Sequence, residues 1–429
     1  MSRMLWWCVG AVFLACLAAS AARAADNENS TDVWPQWRGP HRDGISTETG
    51  LLQNWNAKGP PLAWKAAGLG SGYSSIVIAD GKIFTMGNRG NSVYLLALEL
   101  GDGKPVWATP VGGKSSDHPD STPTVDGDLV FAVGPEGDLA CCQATDGKLL
   151  WQKSFVRDFG GSVPTWKFCE SPLVDGDKLI CTPGGRDATL VALDKKTGSL
   201  IWKCAVPGGA GNGSGYSSTV VSEGAGIRQY VQLMGQGTGC IGVAAEDGRF
   251  LWKYPRVANQ TATIPTPIVQ GDNVFCSSGY GTGSALLKLV RSGNGVEAQE
   301  VYFLNANQMQ NHHGGLVLID DYIYGGHGHN NGFPICIELK TGKMKWGGKR
   351  GPGAGSAAVV YADRQLYFRY EDGLMALIQA SPKGYKLDGK FKIPQVPGGD
   401  KSWAHPVVAG GKLYLREQDS LFVYNVQGK

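Results

Sequence analysis

Apolar and polar residues alternate along this chain over short stretches, and each stretch ends at a turn. Residues 179–181 and 190–193 are two such stretches, and residues 199–202 follow the turn Thr197-Gly198. A period of two predicts β-strands, and a Gly that accepts positive φ is typical of the hairpin turns between them. No segment after residue 24 has a sustained helical period. The pattern therefore predicts an all-β chain of short antiparallel strands.

One phrase recurs about every 45 to 50 residues, a period typical of solenoids, propellers or arrays of modules. It consists of a small residue, an acidic residue two positions later, a turn ending in Gly, and a Trp. The clearest copy contains Ala192, Asp194, Gly198 and Trp202. Other copies pair Ala97 with Trp107, Cys142 with Trp151, Ala244 with Trp252, and Cys336 with Trp346.

A second phrase, an apolar run before an Asp/Gly turn, marks the first strand of each repeat unit. It begins near Ser75, Thr122, Ser171, Ser217, Thr266, Gly315, Ser356 and His405. The matching Trp-like positions are Trp64, Trp107, Trp151, Trp202, Trp252, Tyr302, Trp346 and Phe391, of which Tyr302 and Phe391 are assigned by spacing alone. Both series give eight units.

Eight units of this kind bury both faces of their sheets when they are arranged radially. The repeats begin with a single strand around Trp64 and end with the strand-like residues 420–424, which no Trp phrase follows. We therefore expect an eight-bladed β-propeller of four-stranded antiparallel blades, in which the N-terminal strand completes the last blade. Seven blades is the alternative count.

The chain divides into three predicted parts: a signal peptide over residues 1–24, an N-terminal arm over 25–59, and the propeller over 60–429. Arg3 precedes an apolar stretch, and Ala22-Arg23-Ala24 resembles a signal-peptidase site. This predicts an exported protein, periplasmic or extracellular. Residues 13–16 match a lipoprotein box poorly because Phe13 stands where Leu is usual, so no lipid anchor is expected. No transmembrane segment is expected in the mature chain.

The net charge and the composition argue against further classes of function. The net charge is +3, or +1 without Arg3 and Arg23, and no run of Lys or Arg is present. This balance gives no reason to expect a nucleic-acid partner. The 63 glycines fall mostly at hairpin positions, which favours turn-rich β structure over disorder.

Eight of the ten cysteines lie after the predicted signal peptide, and most of them fall inside strand phrases. We interpret them as buried free cysteines. Cys141 and Cys142 are adjacent in a predicted strand, where alternation would direct their side chains to opposite faces.

Polar and aromatic residues in the loops that lead to the first strands predict a ligand-binding rim at the ring centre. Glu170 is the best candidate for a functional carboxylate, Trp166 and Trp403 are suited to stacking on a flat ligand, and Arg186 is suited to an anion. The full predicted rim is Tyr73, His118, Trp166, Glu170, Arg186, Tyr216, His313, Trp403 and His405. An alternative metal site, for Zn²⁺ or Cu²⁺, would use His312, His313, His327 and His329.

The phrase A-x-D-x-x-T-G-x-x-x-W resembles the pyrroloquinoline quinone (PQQ) type repeat of β-propellers over nearly all of residues 60–429. That family includes the eight-bladed quinoprotein dehydrogenases, which bind PQQ and Ca²⁺, and the BamB lipoprotein branch, which lacks the cofactor. Residues 34–44 are also similar to the N-terminal arm of secreted PQQ-like proteins of planctomycete-type bacteria. Such an arm is expected to be extended and to pack across a propeller face as a clasp.

The resemblance leaves two functions open. The first is a binding or scaffold module at the cell envelope, a monomer without a cofactor, whose rim recognises a protein, peptide or saccharide. The alternative is a PQQ- and Ca²⁺-dependent dehydrogenase of small alcohols or sugars, with Glu170 as base or Ca²⁺ ligand. No set of residues matches the quinoprotein Ca²⁺ site position by position. The resemblance also raises a disulfide between Cys141 and Cys142 against the quinone, which their position in a third strand disfavours.

Overall fold

The computed structural model describes residues 33–210, 213–396 and 401–428. The predicted signal peptide and the first residues of the arm lie outside these ranges. In the described residues, 32 strands form eight four-stranded antiparallel sheets. The prediction of an eight-bladed, all-β propeller is confirmed, and the count of seven is wrong.

Each blade is a meander in which consecutive strands pair. Blade 1 consists of β2 (Val77–Ala79), β3 (Lys82–Asn88), β4 (Ser92–Glu99) and β5 (Pro105–Lys114), and blade 2 of β6 (Thr124–Asp126), β7 (Leu129–Val133), β8 (Asp138–Gln143) and β9 (Leu149–Ser154). Blade 3 consists of β10 (Leu173–Asp175), β11 (Lys178–Cys181), β12 (Leu190–Asp194) and β13 (Leu200–Cys204), and blade 4 of β14 (Val220–Ser222), β15 (Gln229–Leu233), β16 (Cys240–Ala244) and β17 (Phe250–Tyr254). Blade 5 consists of β18 (Ile268–Gln270), β19 (Asn273–Ser278), β20 (Gly283–Ser292) and β21 (Gly295–Asn305). Blade 6 consists of β22 (Leu316–Ile319), β23 (Tyr322–His327), β24 (Phe333–Glu338) and β25 (Met344–Gly347). Blade 7 consists of β26 (Ala357–Ala362), β27 (Gln365–Tyr370), β28 (Leu374–Gln379) and β29 (Leu387–Lys392).

Blade 8 closes the ring with strands from both ends of the propeller. It contains β30 (Val407–Ala409), β31 (Lys412–Glu417) and β32 (Ser420–Asn425), and its outer strand is β1 (Leu62–Ala67). β1 pairs antiparallel with β32, where Lys65 lies opposite Phe422. The predicted closure by the N-terminal strand is confirmed.

The repeated Trp lies in the fourth strand of its blade and packs on the turn of the next blade. Trp151 of β9, for example, donates a hydrogen bond from Nε1 to Lys195 O at 3.1 Å, and its ring lies against Gly198. Tyr302 occupies the equivalent position in β21, opposite Leu286 at the register shift, so its assignment by spacing is confirmed. In β29 that position is Gly389, opposite Leu377, and Phe391 lies two residues further along the strand, so its assignment is wrong.

A β-bulge beside the Trp explains why the phrase begins with a small residue. In blade 3, Ala192 lies directly opposite Trp202, and the register shifts immediately afterwards. A small side chain there leaves room for the indole. Two assignments in the phrase are wrong: Trp151 lies opposite Cys141 rather than Cys142, and Trp252 lies opposite Gly242 rather than Ala244.

The hydrophobic core is divided into clusters that lie between neighbouring blades. One cluster joins blades 1 and 2 and contains Cys142, whereas the next joins blades 2 and 3 and contains Cys141. The alternation predicted for these cysteines is confirmed. All eight described cysteines are free, and all but Cys169 are buried.

Helical structure is limited to short connections in the described chain. Helix α1 (Phe155–Phe159) begins at Ser154, whose side chain accepts from Arg157 N at 3.2 Å, and ends at Gly160. Two 3₁₀ turns span Gly224–Gly226 and Pro255–Val257. Of the helices in the described residues, none has the length and apolar character to cross a membrane.

Candidate functional site

The N-terminal arm crosses the inner strands of the propeller. Trp34 pairs with Ile78 in β2, and Ile45 pairs with Tyr361 in β26. Because β2 and β26 are the first strands of blades 1 and 7, residues 34–45 of the arm lie across the face of the ring at its centre. The arm then runs outward, where the Trp55 N–H donates to Asp388 O in β29. This is the packing expected for a clasp.

Two buried arginines of the arm connect distant blades through the channel. Arg42 donates from Nη2 to Ser171 O at 2.6 Å, at the start of blade 3. Arg38 donates from Nη2 to Leu316 O in blade 6. Burial lowers the pKa of Arg38 to about 10 and that of Arg42 to about 9, and both values keep the guanidinium groups charged at neutral pH. The arm therefore closes the channel at this depth.

Above the arm, the channel opens into a cavity of about 220 Å³ whose floor is formed by Trp37 and Arg38. Its walls come from the loops that lead to the first strands, together with Tyr280 from the loop after β19. Many wall residues occupy one repeated position, two residues before the start of the first-strand phrase. These residues are Tyr73, Asp120, Cys169, Ile264, His313 and Trp403. The repeat thus brings the same position of several blades to one place.

One wall of the cavity is a continuous series of rings. Tyr73 and Trp403 have ring centroids 5.0 Å apart, Trp403 and His313 4.9 Å, His313 and His312 4.6 Å, and His312 and Tyr280 5.2 Å. These contacts fix the orientation of each ring, so the wall is rigid before a ligand binds.

A second pair of rings and the floor complete the aromatic lining. Trp166 and Tyr216 have centroids 5.7 Å apart, and the Trp166 ring is 48% exposed at the mouth. At the bottom, Trp37 lies 4.5 Å from the His405 ring and donates from Nε1 to Thr266 Oγ1 at 3.3 Å.

Asp120 supplies the carboxylate of the cavity lining in the described chain. Its Oδ2 accepts from the Cys169 thiol at 3.3 Å, whereas its Oδ1 is buried without a hydrogen-bond partner. Burial raises the pKa of Asp120 to about 7, with the contact from Cys169 acting in the opposite direction. Asp120 is therefore a buried acid with one oxygen left without a hydrogen bond.

The histidines of the cavity are held neutral. Burial lowers the pKa values of His312, His313 and His405 to about 3. His312 Nδ1 lies 2.6 Å from Ser356 Oγ and its Nε2 lies 3.0 Å from Tyr280 Oη, while His405 Nε2 lies 3.2 Å from His313 O. His313 Nε2 is buried without a partner among the described residues.

Hydroxyl groups beneath the cavity join neighbouring blades. The backbone N–H of Ser75 donates to Thr122 Oγ1 at 3.0 Å, that of Thr122 to Ser171 Oγ at 2.9 Å, and that of Ser171 to Ser218 Oγ at 2.9 Å. These bonds join the segments that lead to the first strands of blades 1 to 4, so each of these segments is positioned by its neighbour.

The structure brings six of the nine predicted rim residues to the cavity: Tyr73, Trp166, Tyr216, His313, Trp403 and His405. His118 is exposed outside it, where its Nδ1 lies 3.0 Å from Ser71 Oγ. Arg186 is exposed in the loop after β11 and does not line the cavity, so its placement at the rim is wrong.

Glu170 faces away from the cavity because consecutive residues of an extended segment point in opposite directions. Its neighbour Cys169 lines the cavity, whereas Glu170 is 3% exposed and accepts from Thr182 N. Burial raises its pKa to about 7, and the nearby Arg42 opposes this shift. Glu170 is thus a buried acid beside the arm and does not contact the cavity.

The predicted histidine group comes together only in part. The ring centroids of His312 and His329 are 4.4 Å apart, and His312 adjoins His313, but His327 Nδ1 accepts from Gln310 N at 3.3 Å. In the described ranges, no three His, Cys, Asp or Glu side chains are placed to share a metal ion.

The lining residues outside the predicted rim include Trp37, Arg38, Asp120, Cys169 and Tyr280. Asp120 and Cys169 share the repeated position of Tyr73 and Trp403, so alignment of the repeat units would have found them. Trp37 and Arg38 carry no such signal because they reach the site through contacts more than 200 residues apart in sequence.

Residues 89–348 match the protein family described as outer membrane protein assembly factor BamB. Among curated proteins, the outer membrane protein assembly factor BamB of Yersinia pestis is 22% identical over 226 residues, covering 52% of this chain and 53% of that protein. The chain thus spans about half the length of this relative.

Solved structures share the fold. The crystal structure of BamB from Moraxella catarrhalis superposes with a TM-score of 0.61 at 13% identity, covering 85% of this chain and 99% of that one. The quinohemoprotein alcohol dehydrogenase ADHIIG from Pseudomonas putida HK5 gives a TM-score of 0.66 at 13% identity, covering 95% and 82%. At such identities the likeness establishes the fold alone.

Proposed function

We propose that this chain, which belongs to the PQQ-repeat propeller family described as outer membrane protein assembly factor BamB, acts as a binding or scaffold module at the cell envelope. The finer parts of the proposal are export to the periplasm or the cell exterior, a monomeric propeller, and recognition of a protein, peptide or saccharide by the rim. The predicted signal peptide and the names of the BamB relatives support this location.

The observation that carries the proposal is the cavity at the mouth of the channel. It is closed below by the arm, open at the Trp166 side, and lined by rings whose mutual contacts hold them in place. Ligand sites are typically concave and largely apolar, with a few polar groups that fix orientation. A preformed cavity also lowers the entropy cost of binding.

The residues of this cavity do not fit PQQ with calcium. Ca²⁺ takes six to eight oxygen ligands, but Asp120 is the one carboxylate among the described lining residues. PQQ itself carries three carboxylates, which would face that acid with Arg38 as the one cationic side chain of the described lining. We therefore propose a function without this cofactor.

Site-specific photocrosslinking tests the proposal. A photoreactive phenylalanine analogue would replace Trp166 at the mouth in one variant and Leu200 on an outer strand in the other. The two native side chains are 48% and 49% exposed, so the positions are matched for access. With native cell envelopes, we expect a discrete adduct from position 166 and none from position 200.

Two results would contradict the proposal. The first is equal labelling from both positions, which would indicate contact without a preferred site. The second is dye-linked oxidation of alcohols or sugars by the protein after reconstitution with PQQ and Ca²⁺. The Glu170→Gln variant would then show whether that acid takes part.

A further inference from the structure

We infer that Cys240 and Cys276 form a disulfide that joins blades 4 and 5 when the exported chain folds. This inference rests on the export named in the proposed function, because disulfides form and persist in oxidising compartments such as the periplasm. It follows from the place of the two cysteines in the repeat, from the contact between their thiols, and from their burial.

The repeat places the two cysteines opposite each other across the interface of their blades. Cys240 lies twelve positions before Trp252, in the third strand of blade 4, and Cys276 lies in the second strand of blade 5, ten positions after the start of its first-strand phrase. Between blades 2 and 3, the same two positions hold Leu139 and Cys181. The members of each pair share one hydrophobic cluster. The packing of consecutive blades therefore brings these two positions together in both places.

The thiols of the two cysteines are in contact. A hydrogen bond joins Cys240 to Cys276, and the Cys276 thiol also donates to Ala285 O at 3.8 Å. Both cysteines are free in this structure, so the pair is a dithiol here. In the cluster between blades 2 and 3, by contrast, the Cys141 thiol donates to Lys195 O at 3.9 Å. Contact between two sulfur atoms is the first geometric requirement for a disulfide.

Burial determines the stage at which the bond forms. Cys240 is 0% and Cys276 is 1% exposed in the closed ring. Burial also raises the pKa of the Cys240 thiol, so the folded pair reacts slowly with external reagents. The two cysteines lie in consecutive blades and therefore meet before the last blade closes the ring. After closure, the same burial protects the bond from reductants.

The step is a thiol–disulfide exchange with a dithiol–disulfide oxidoreductase of the envelope. The thiolate of one cysteine attacks the disulfide of that enzyme and forms a mixed disulfide, and the thiolate of the other cysteine then displaces the sulfur of the enzyme. One sulfur–sulfur bond breaks and one forms. The two protons and two electrons that the cysteines lose reduce the disulfide of the oxidoreductase to two thiols.

Differential alkylation of the full chain, isolated from its native cells, tests the inference. Free thiols are blocked with N-ethylmaleimide in guanidinium chloride, disulfides are then reduced, and the released thiols are labelled with iodoacetamide. We expect iodoacetamide at Cys240 and Cys276, and a peptide pair linked through them in the unreduced digest. Cys181 is the internal control, since it occupies the Cys276 position opposite Leu139, and it should carry N-ethylmaleimide.

Thermal melting measures the effect of the bond on stability. The protein is produced in an oxidising and in a reducing compartment of the same host. A bridge between two blades restricts the unfolded chain, so we expect the oxidised form to melt about 4 °C above the reduced form. Cys276→Ala should melt at the same temperature from both compartments, whereas Cys181→Ala should keep the difference. Peptide mapping of the parent chain decides the test if Cys276→Ala does not fold.

Two results would overturn the inference: N-ethylmaleimide at both Cys240 and Cys276 in protein from native cells, or linked peptides without preference for this pair. In the first case, incubation with oxidised glutathione at the urea midpoint of unfolding locates the failure. Selective linking there would place it in the export named by the proposed function, and no linking would place it in the pair itself. Crosslinking at residue 166 does not depend on the disulfide, so its outcome still decides the proposed binding function.

Discussion

Gly198 tests whether the docking of each repeated Trp on the next blade stabilises the ring. Gly198 has φ +68°, and a Cβ added there would lie 2.8 Å from Cδ2 and Cε3 of the Trp151 indole. Gly176 in the same blade has φ +60°, and nothing lies within 4 Å of its added Cβ. Replacement of each by Ala imposes similar backbone strain, so the two variants differ mainly in the contact with Trp151.

The expected magnitudes follow from these geometries. A left-handed conformation costs a residue with a Cβ about 1–2 kcal/mol, which is the full effect expected for Gly176→Ala. Gly198→Ala adds overpacking of about 1–3 kcal/mol. It also disturbs the hydrogen bond from Trp151 Nε1 to Lys195 O, which contributes about 1 kcal/mol. We expect the free energy of unfolding to fall by about 2–4 kcal/mol more for Gly198→Ala than for Gly176→Ala.

Equilibrium unfolding in urea measures the stability of both variants. Equal dependence of their unfolding free energies on urea concentration would establish that both expose the same surface on unfolding. The same pair in a Trp151→Ala background completes a double-mutant cycle, in which the excess cost at position 198 should disappear. If the two glycine variants lose equal stability in the parent chain, the docking argument is refuted.

Three further predictions concern the arm and the site. Arg42→Met removes the side-chain donor to Ser171 O and one of the two donors to Pro172 O, which still accepts from Thr124 Oγ1, and should lower the free energy of unfolding by about 1–3 kcal/mol; an unchanged urea midpoint would contradict this. His405 has a pKa near 3 when folded and near 6.5 when unfolded, so its contribution to stability is lost as pH falls below 6.5. His405→Asn should therefore reduce the stability lost between pH 8 and pH 5 by about 2 kcal/mol, and equal losses would argue against a buried neutral imidazole. The half-buried Cys169 should react with iodoacetamide in the native protein before the buried Cys181. Its rate should still rise above pH 9, because the thiolate is the reacting form and burial raises the pKa of this thiol; peptide mapping that finds Cys181 modified first would contradict the burial assignment.

Much of the site could be predicted because the loops repeat with the blades. Tyr73 and Trp403 each lie two residues before the start of the first-strand phrase, at Ser75 and His405, and both reach the cavity. The prediction is wrong where it depends on the direction of a side chain: Cys169 and Glu170 are adjacent, but of the two only Cys169 faces the cavity. A sequence read without a fixed register cannot distinguish two neighbouring positions of an extended segment.

The sequence by itself determined the fold class, the number of blades and the closure of the ring. These depend on local patterns, strand alternation and Gly turns, that recur in every unit and so reinforce one another. Details within the unit depend on pairing between strands: the residue opposite the Trp lies ten positions before it in blades 2, 3 and 4, which makes it Cys141 for Trp151 and Gly242 for Trp252.

Only the tertiary structure determined which residues form the floor of the cavity and which polar atoms of the lining residues lack hydrogen-bond partners. Trp37 and Arg38 reach the site because the arm crosses the ring at its centre, and their partners, Thr266 and Leu316, are more than 200 residues away. Asp120 acquires its raised pKa from burial, which depends on how the blades converge. Long-range contacts of this kind leave no period in the chain, because they depend on packing between elements rather than on local conformation.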